Sequence, residues 1–97
     1  MHPLDQLQEW YHSVCDGDWE HNWGVKIGTL DNPGWSIEIE LNETPLAERS
    51  FKEVSDLRSE DDWVVCKVES QKFVGYCGPK NLTEMISVFC EWSRKPR

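Results

Sequence analysis

His12, Cys15 and His21, with Asp18 between the last two, come nearest to a reactive constellation in this sequence. His12 and Cys15 stand three residues apart, a helical spacing that puts both on one face, and a Cys–His dyad is a common thiol nucleophile. Such a thiol needs a lowered pKa and therefore an electropositive setting. The first 25 residues contain no Lys or Arg but carry Asp5, Glu9, Asp16, Asp18 and Glu20, surroundings that raise a thiol pKa instead. The same side chains offer metal-ligand types within ten residues, at a spacing that matches no familiar site. Cys66, Cys77 and Cys90 form no CxxC pair, and Cys77-Gly78-Pro79 is too short, with Pro79 lacking an N–H, to make an anion-binding loop. Adjacent acids such as Asp61-Asp62 occur by chance in a chain with 18 of them, and are usually a solvated face. A small thiol- or metal-dependent enzyme centred on His12, Cys15 and His21 is the alternative reading. The expectation is a protein without catalysis, metal or cofactor.

Charge points elsewhere. Ten Lys and Arg against eighteen Asp and Glu give −8, and three of the ten bases (Arg94, Lys95 and Arg97) lie in the last four residues. Such a field repels nucleic acid and anionic membranes and speeds association with basic proteins. Met1-His2-Pro3-Leu4-Asp5 has neither the basic start nor the apolar run of a signal peptide. No stretch has the length to span a bilayer. A cytoplasmic chain with reduced thiols is expected, with Cys66 and Cys90 as small core residues. The 97 residues suit one domain, 1–97, and six Trp, three Phe and two Tyr supply its core area.

The elements that would position these residues follow from periodicity. Leu4, Leu7, Trp10 or Tyr11, and Val14 recur at three- and four-residue steps, predicting a helix over 3–16 with Pro3 in its first turn and Gly17 as its stop. Trp23, Val25, Ile27 and Thr29, then Trp35, Ile37, Ile39 and Leu41, alternate with period two. That pattern predicts a hairpin of strands at about 23–30 and 35–42, turned by Asp31-Asn32-Pro33-Gly34. A third strand is expected to end near Phe51–Val54, with Ser55–Asp62 a polar connection. Residues 63–69 and 72–77 read as two further strands. Asn81 with Glu84 resembles a capping box opening a last helix, whose stripe is Leu82, Met85, Ile86, Phe89 and Trp92. The fold class is α+β: an antiparallel meander of four to five strands, with the N- and C-terminal helices packed on one face as a two-layer sandwich.

Aromatic and acidic side chains share the hairpin and the turn before Trp63. Trp is enriched at interface hot spots because it buries much area with few rotors, and an acidic rim suits a partner rich in Lys or Arg. Trp10, Trp23 and Trp92 are assigned to the core. Trp19 and Trp35 flank turns and are the better interface candidates. The candidate partner-binding set is Asp18, Trp19, Glu20, Asp31, Asn32, Trp35, Glu38, Glu40, Asp61, Asp62 and Trp63.

Several segments carry a family resemblance. Leu7-Gln8-Glu9-Trp10-Tyr11, Cys15-Asp16-Gly17-Asp18-Trp19-Glu20-His21 and Gly24-Val25-Lys26-Ile27-Gly28-Thr29-Leu30-Asp31-Asn32-Pro33-Gly34-Trp35 resemble the immunity protein 53 family of bacterial polymorphic toxin systems. Asp62-Trp63, Phe73 with Gly75, and Phe89-Cys90-Glu91-Trp92 extend the likeness over nearly the whole chain. The resemblance implies a protein that binds and neutralises a cognate toxin encoded beside it, with no catalytic role. It assigns no motif to toxin contact, so Trp19, Glu20, Asp31, Asn32 and Trp35 have a fold-determining reading beside the contact one. Net charge adds a basic toxin partner, with a nuclease the obvious class because its cleft binds phosphate.

Overall fold

The computed structural model describes residues 2–95. In chain order it contains α1 (Pro3–Val14), α2 (Trp19–Asn22), β1 (Val25–Leu30), β2 (Gly34–Glu40), β3 (Val54–Ser59), β4 (Asp62–Glu69), β5 (Lys72–Cys77) and α3 (Leu82–Arg94). The five strands form one antiparallel sheet in the order β1-β2-β5-β4-β3. The α+β class with helices from both chain ends on one face is therefore as expected, but the simple meander is not. β5 lies between β2 and β4, so the β1–β2 hairpin and the β3–β4–β5 meander are joined by a crossover.

That crossover occupies residues 41–53, which were expected to hold the third strand. Leu41 N–H still bonds to the Gln71 carbonyl at 2.9 Å, extending β2 alongside the β4–β5 turn. The Thr44 hydroxyl then closes a local turn on the Leu41 carbonyl at 2.8 Å. Arg49 caps the end of α3 by donating to the carbonyls of Trp92 and Lys95 at 3.0 and 2.8 Å. Trp92 Nε1 donates to the Ser50 carbonyl at 2.9 Å, and Phe51 meets Phe73 and Trp92 edge-on. Leu46 and Phe51 thus reach the core from an irregular segment, which is why they obey no single period. β3 begins where the third strand was expected to end, and most of the supposed polar connection Ser55–Asp62 is strand.

The core is one layer between helices and sheet. Ile37 and Ile39 of β2, Phe73 and Cys77 of β5, and Val64 and Cys66 of β4 face Leu7 of α1 and Met85, Ile86, Phe89, Cys90 and Trp92 of α3. Phe89 stands edge-on to Phe73 at 5.1 Å and to Trp10 at 5.0 Å, which joins the two long helices over the sheet. Gly75 permits the close approach of α3: a Cβ there would lie 2.8 Å from Met85 Sδ and 3.0 Å from Ile37 Cγ2. Cys66 and Cys90 are buried as expected, and Cys77 joins them. Of the Trp residues assigned to the core, Trp92 is buried, while Trp10 and Trp23 are half-buried.

Among the described residues no helix lies on the opposite sheet face. Cross-strand register places Ser36, Tyr76, Val65 and Ser55 in one row there, and Glu38, Val74 and Lys67 in the next. Val74 is nonetheless buried, between Glu38 and Lys67 in its row.

Candidate partner-binding surface

The sequence-derived candidates fall into two groups at opposite ends of the sheet. One end gathers the β1–β2 turn, the β3–β4 turn and the β5–α3 connection, and with them Asp31, Asn32, Trp35, Asp61, Asp62 and Trp63. Asp31 and Asn32 are exposed in the hairpin turn, whose Asn32–Pro33 peptide is cis. Gly34 ends that turn under the Cys77 carbonyl, where any Cβ would collide with the backbone. Trp35 is half-buried on the helix side and donates its Nε1 to the Pro79 carbonyl at 3.1 Å. Its ring ties the hairpin to the start of α3 as well as showing an edge to solvent.

Asp62 belongs to an ion network. Arg58 of β3 reaches Asp56, Asp62 and Glu84, each at 2.7 Å. Asn81 donates to Asp62 at 2.9 Å and to Glu84 at 3.1 Å, and accepts the Trp63 N–H at 3.3 Å. Asn81 therefore sits at the helix start as expected, but its side chain clamps β4 to α3 and makes no capping bond to the helix backbone. Hydrogen bonds from Arg58, then from Asn81, hold the Asp62 and Glu84 carboxyls below their usual range, and the same acids fix Arg58 in its charged form. Asp61 stays exposed, its carbonyl beside Gly78. Trp63 pairs with Leu57 across β3–β4, on the face without helices. Leu57 is 70% exposed and Tyr76 40%, so an apolar patch begins beside these acids. The sequence reading missed Leu57 because it treated the segment as a connection; the alternation of Val54, Asp56 and Arg58 against Ser55 and Leu57 was the available signal.

The other group is Asp18, Trp19, Glu20, Glu38 and Glu40. Here Trp19 is a correction: it is 2% exposed, with Nε1 donating to the Asn42 carbonyl at 2.8 Å and Trp10 and Tyr11 rings edge-on at 6.1 Å. A side chain so enclosed is core, and its turn-flanking position reflects how α2 is pinned to the crossover. Asp16 Oδ1 accepts the N–H groups of Asp18 and Trp19, while Glu20 accepts those of Asp16 and Gly17. This reciprocal arrangement works as a capping box. It ends α1 at Val14, short of the expected Asp16, and lets Gly17 take φ +92°. Backbone N–H bonds, led by Trp19 for Asp16 and by its own N–H for Glu20, keep both carboxyls ionised below the usual range. Asp18 is exposed. Glu38 and Glu40 are half-buried on the helix-free face, where Lys72 donates to Glu38 at 3.1 Å and Asn42 to Glu40 at 2.6 Å. Beside them a shallow pocket of about 280 Å³ includes Trp23, whose buried Nε1 has no partner among the described residues.

The residues of the enzymatic alternative lie on the surface around the end of α1 and α2. His12 and His21 are exposed, and Cys15 Sγ donates to the Tyr11 carbonyl at 3.2 Å. Among the described residues no three His, Cys, Asp or Glu side chains converge on a point that would hold a metal. Burial pushes the Cys66 thiol up to about 12 and the Cys77 thiol to about 11, and raises Cys90 as well, which removes all three as nucleophiles at neutral pH.

The family model described as immunity protein 53 matches residues 4–94, nearly the whole chain. The chain belongs to the immunity protein 53 family. No curated protein and no solved structure matches it. Membership supports an immunity function with a toxin as partner, and accords with a non-enzymatic inhibitor. For this immunity protein the local architecture divides the family-like segments by role. The Asp16–Glu20 turn and Trp19 hold α2 in place, whereas Asp31 and Asn32 are exposed in the β1–β2 turn. No helix among the described residues is long and apolar enough to cross a membrane.

Proposed function

We propose that this immunity protein neutralises a cognate toxin domain by stoichiometric occlusion, in the cytoplasm of the cell that produces both. The family match over residues 4–94 carries the proposal. The charge distribution supports a basic partner. Asp31, Glu60 and Asp61 lie in turns at the end of the sheet that also carries Trp63 and Leu57, while Asp62 and Glu84 at that end are paired with Arg58. An apolar patch beside concentrated negative charge is suited to an electropositive cleft, with the acids standing where phosphates would bind and steering association. A nuclease is the toxin class that such a cleft implies.

Co-expression with the toxin domain encoded beside it is the test. Restored growth and a co-purifying one-to-one complex are expected. Continued killing, with no complex recovered, is the contrary result.

A further inference from the structure

β1 is an edge strand whose outer side is free, and its hydrogen-bond phase can be read directly. Glu40 N–H donates to the Gly24 carbonyl at 3.1 Å, and the register pairs Val25 with Ile39. In an antiparallel ladder the bonding side alternates, so Lys26, Gly28 and Leu30 bond inward to β2. Val25, Ile27 and Thr29 then point their N–H and C=O groups outward, and no backbone partner meets them among the described residues.

The other edge is guarded. β3 has a register shift between Leu57 and Ser59, and Arg58 is fixed there by three acids. Bulges and charges are the devices that prevent a sheet edge from recruiting another strand. β1 has neither a bulge nor a proline, and its one charge, Lys26, lies on the opposite face beside Glu38. Val25, Ile27 and Thr29 direct their side chains to the helix side; Val25 packs against the core, but Ile27, 41% exposed, and Thr29 are left uncovered. Between α1 and β1 runs an apolar groove of about 340 Å³ floored by Leu7, Tyr11 and Val25, with Tyr11 itself 40% exposed.

We propose that the outer edge of β1 receives an extended segment of the toxin as a sixth strand, its alternate apolar side chains seated in the α1–β1 groove. This rests on the toxin-binding reading above and gives it a surface. Charge selects the occupant. The groove lining itself is uncharged, but the surrounding segment 1–25 carries Asp5, Glu9, Asp16, Asp18 and Glu20 and no Lys or Arg, and Asp31 follows directly on β1. A second copy of this chain would bring its own −8 to that place, whereas a segment carrying Lys or Arg among its apolar residues meets complementary charge. Main-chain bonds give such strand addition its affinity, and the alternate side-chain pockets its specificity.

Amide exchange of the ¹⁵N-labelled full chain, alone and with the purified neighbouring toxin domain, tests this. In the free protein Lys26 and Gly28 should already exchange slowly. In the complex the Val25, Ile27 and Thr29 amides should slow at least tenfold. Ile27→Pro removes one outward N–H without touching the β1–β2 ladder, and should weaken the complex at least tenfold at unchanged far-UV circular dichroism. If that variant misfolds, Ile27→Lys supplies the same reading by setting a cation on the exposed edge where the added strand would pack. A wild-type complex in which those three amides exchange as in the free chain, or in which Ile27→Lys binds like wild type, overturns the edge proposal alone. Failure of the wild type to form any complex overturns the toxin-binding reading and this inference with it. Protection of the same amides by self-association without toxin overturns the choice of occupant.

Discussion

Replacing Trp19 with Phe separates a core role from a contact role at a residue whose sequence setting suggested contact. The indole is enclosed, 2% exposed, and its Nε1 donates to the Asn42 carbonyl at 2.8 Å. Phe keeps a ring against Trp10 and Tyr11 but removes two buried carbons, worth about 1.6 kcal/mol at roughly 0.8 kcal/mol each. The lost hydrogen bond, part-buried at half-buried Asn42, adds about 1 kcal/mol, near the mean for such bonds. A destabilisation of about 2.5 kcal/mol follows. At roughly 4–8 °C per kcal/mol for a domain of this size, Tm should fall by about 10–20 °C. Differential scanning calorimetry measures the first quantity. Isothermal titration of the folded variant with the toxin domain, well below its Tm, should give an affinity within about threefold of wild type, since surface geometry is kept. An unchanged Tm with a tenfold or greater loss of affinity refutes the reasoning, because it would mean that the ring is spent on the partner and not on the fold.

Other outcomes follow from single observations. Gly75→Ala should lower stability by about 1 kcal/mol, the low end for overpacking because flexible Met85 is the closest obstacle, and urea unfolding would detect it. Thiol labelling of the native protein at pH 7–8 should modify Cys15 first, with Cys66, Cys77 and Cys90 reacting only in denaturant; rapid labelling of two or more thiols contradicts the burial described here. Asp16, Glu20, Asp62 and Glu84 have folded-state pKa values below their unfolded ones. Their contribution is therefore present above the ordinary carboxylate range and lost as pH falls through the folded values. The urea midpoint should drop on acidification, and Arg58→Met should make that drop shallower by freeing Asp62 and Glu84 from their main stabilising partner. Cys15→Ser should leave toxin neutralisation intact, measured as growth rescue, because the Cys15 thiol bonds to the Tyr11 carbonyl of its own helix and a hydroxyl can make the same bond.

Parts of this fold were legible because one physical rule dominated locally. The β1–β2 hairpin shows period-two alternation and a turn sequence that needs no tertiary help. In α3, Leu82, Met85, Ile86, Phe89 and Trp92 form a stripe that only a helix can bury together. β3 was hidden because Leu46 and Phe51 look like strand residues yet serve the core from a crossover, while Ser55, Asp56, Arg58 and Ser59 look like a connection. The sheet order depends on β5 pairing with β2, a long-range choice that no window of sequence encodes. At the candidate surface, the exposure of Asp31, Asn32 and Asp61 followed from turn chemistry. The enclosure of Trp19 did not, because it depends on the Asp16–Glu20 capping arrangement and on a carbonyl at Asn42, 23 residues away. Trp63 shows the converse case: its placement on the helix-free face follows from register, and so becomes visible only when β3 is recognised as its partner.

The central claim is stoichiometric neutralisation without turnover. Toxin activity should be measured at a fixed toxin concentration far above the dissociation constant, while purified immunity protein is added in steps. A linear fall to zero at one equivalent is predicted. Loss of activity at a small fraction of an equivalent would indicate catalysis by this chain, and unchanged activity past several equivalents would contradict the account altogether.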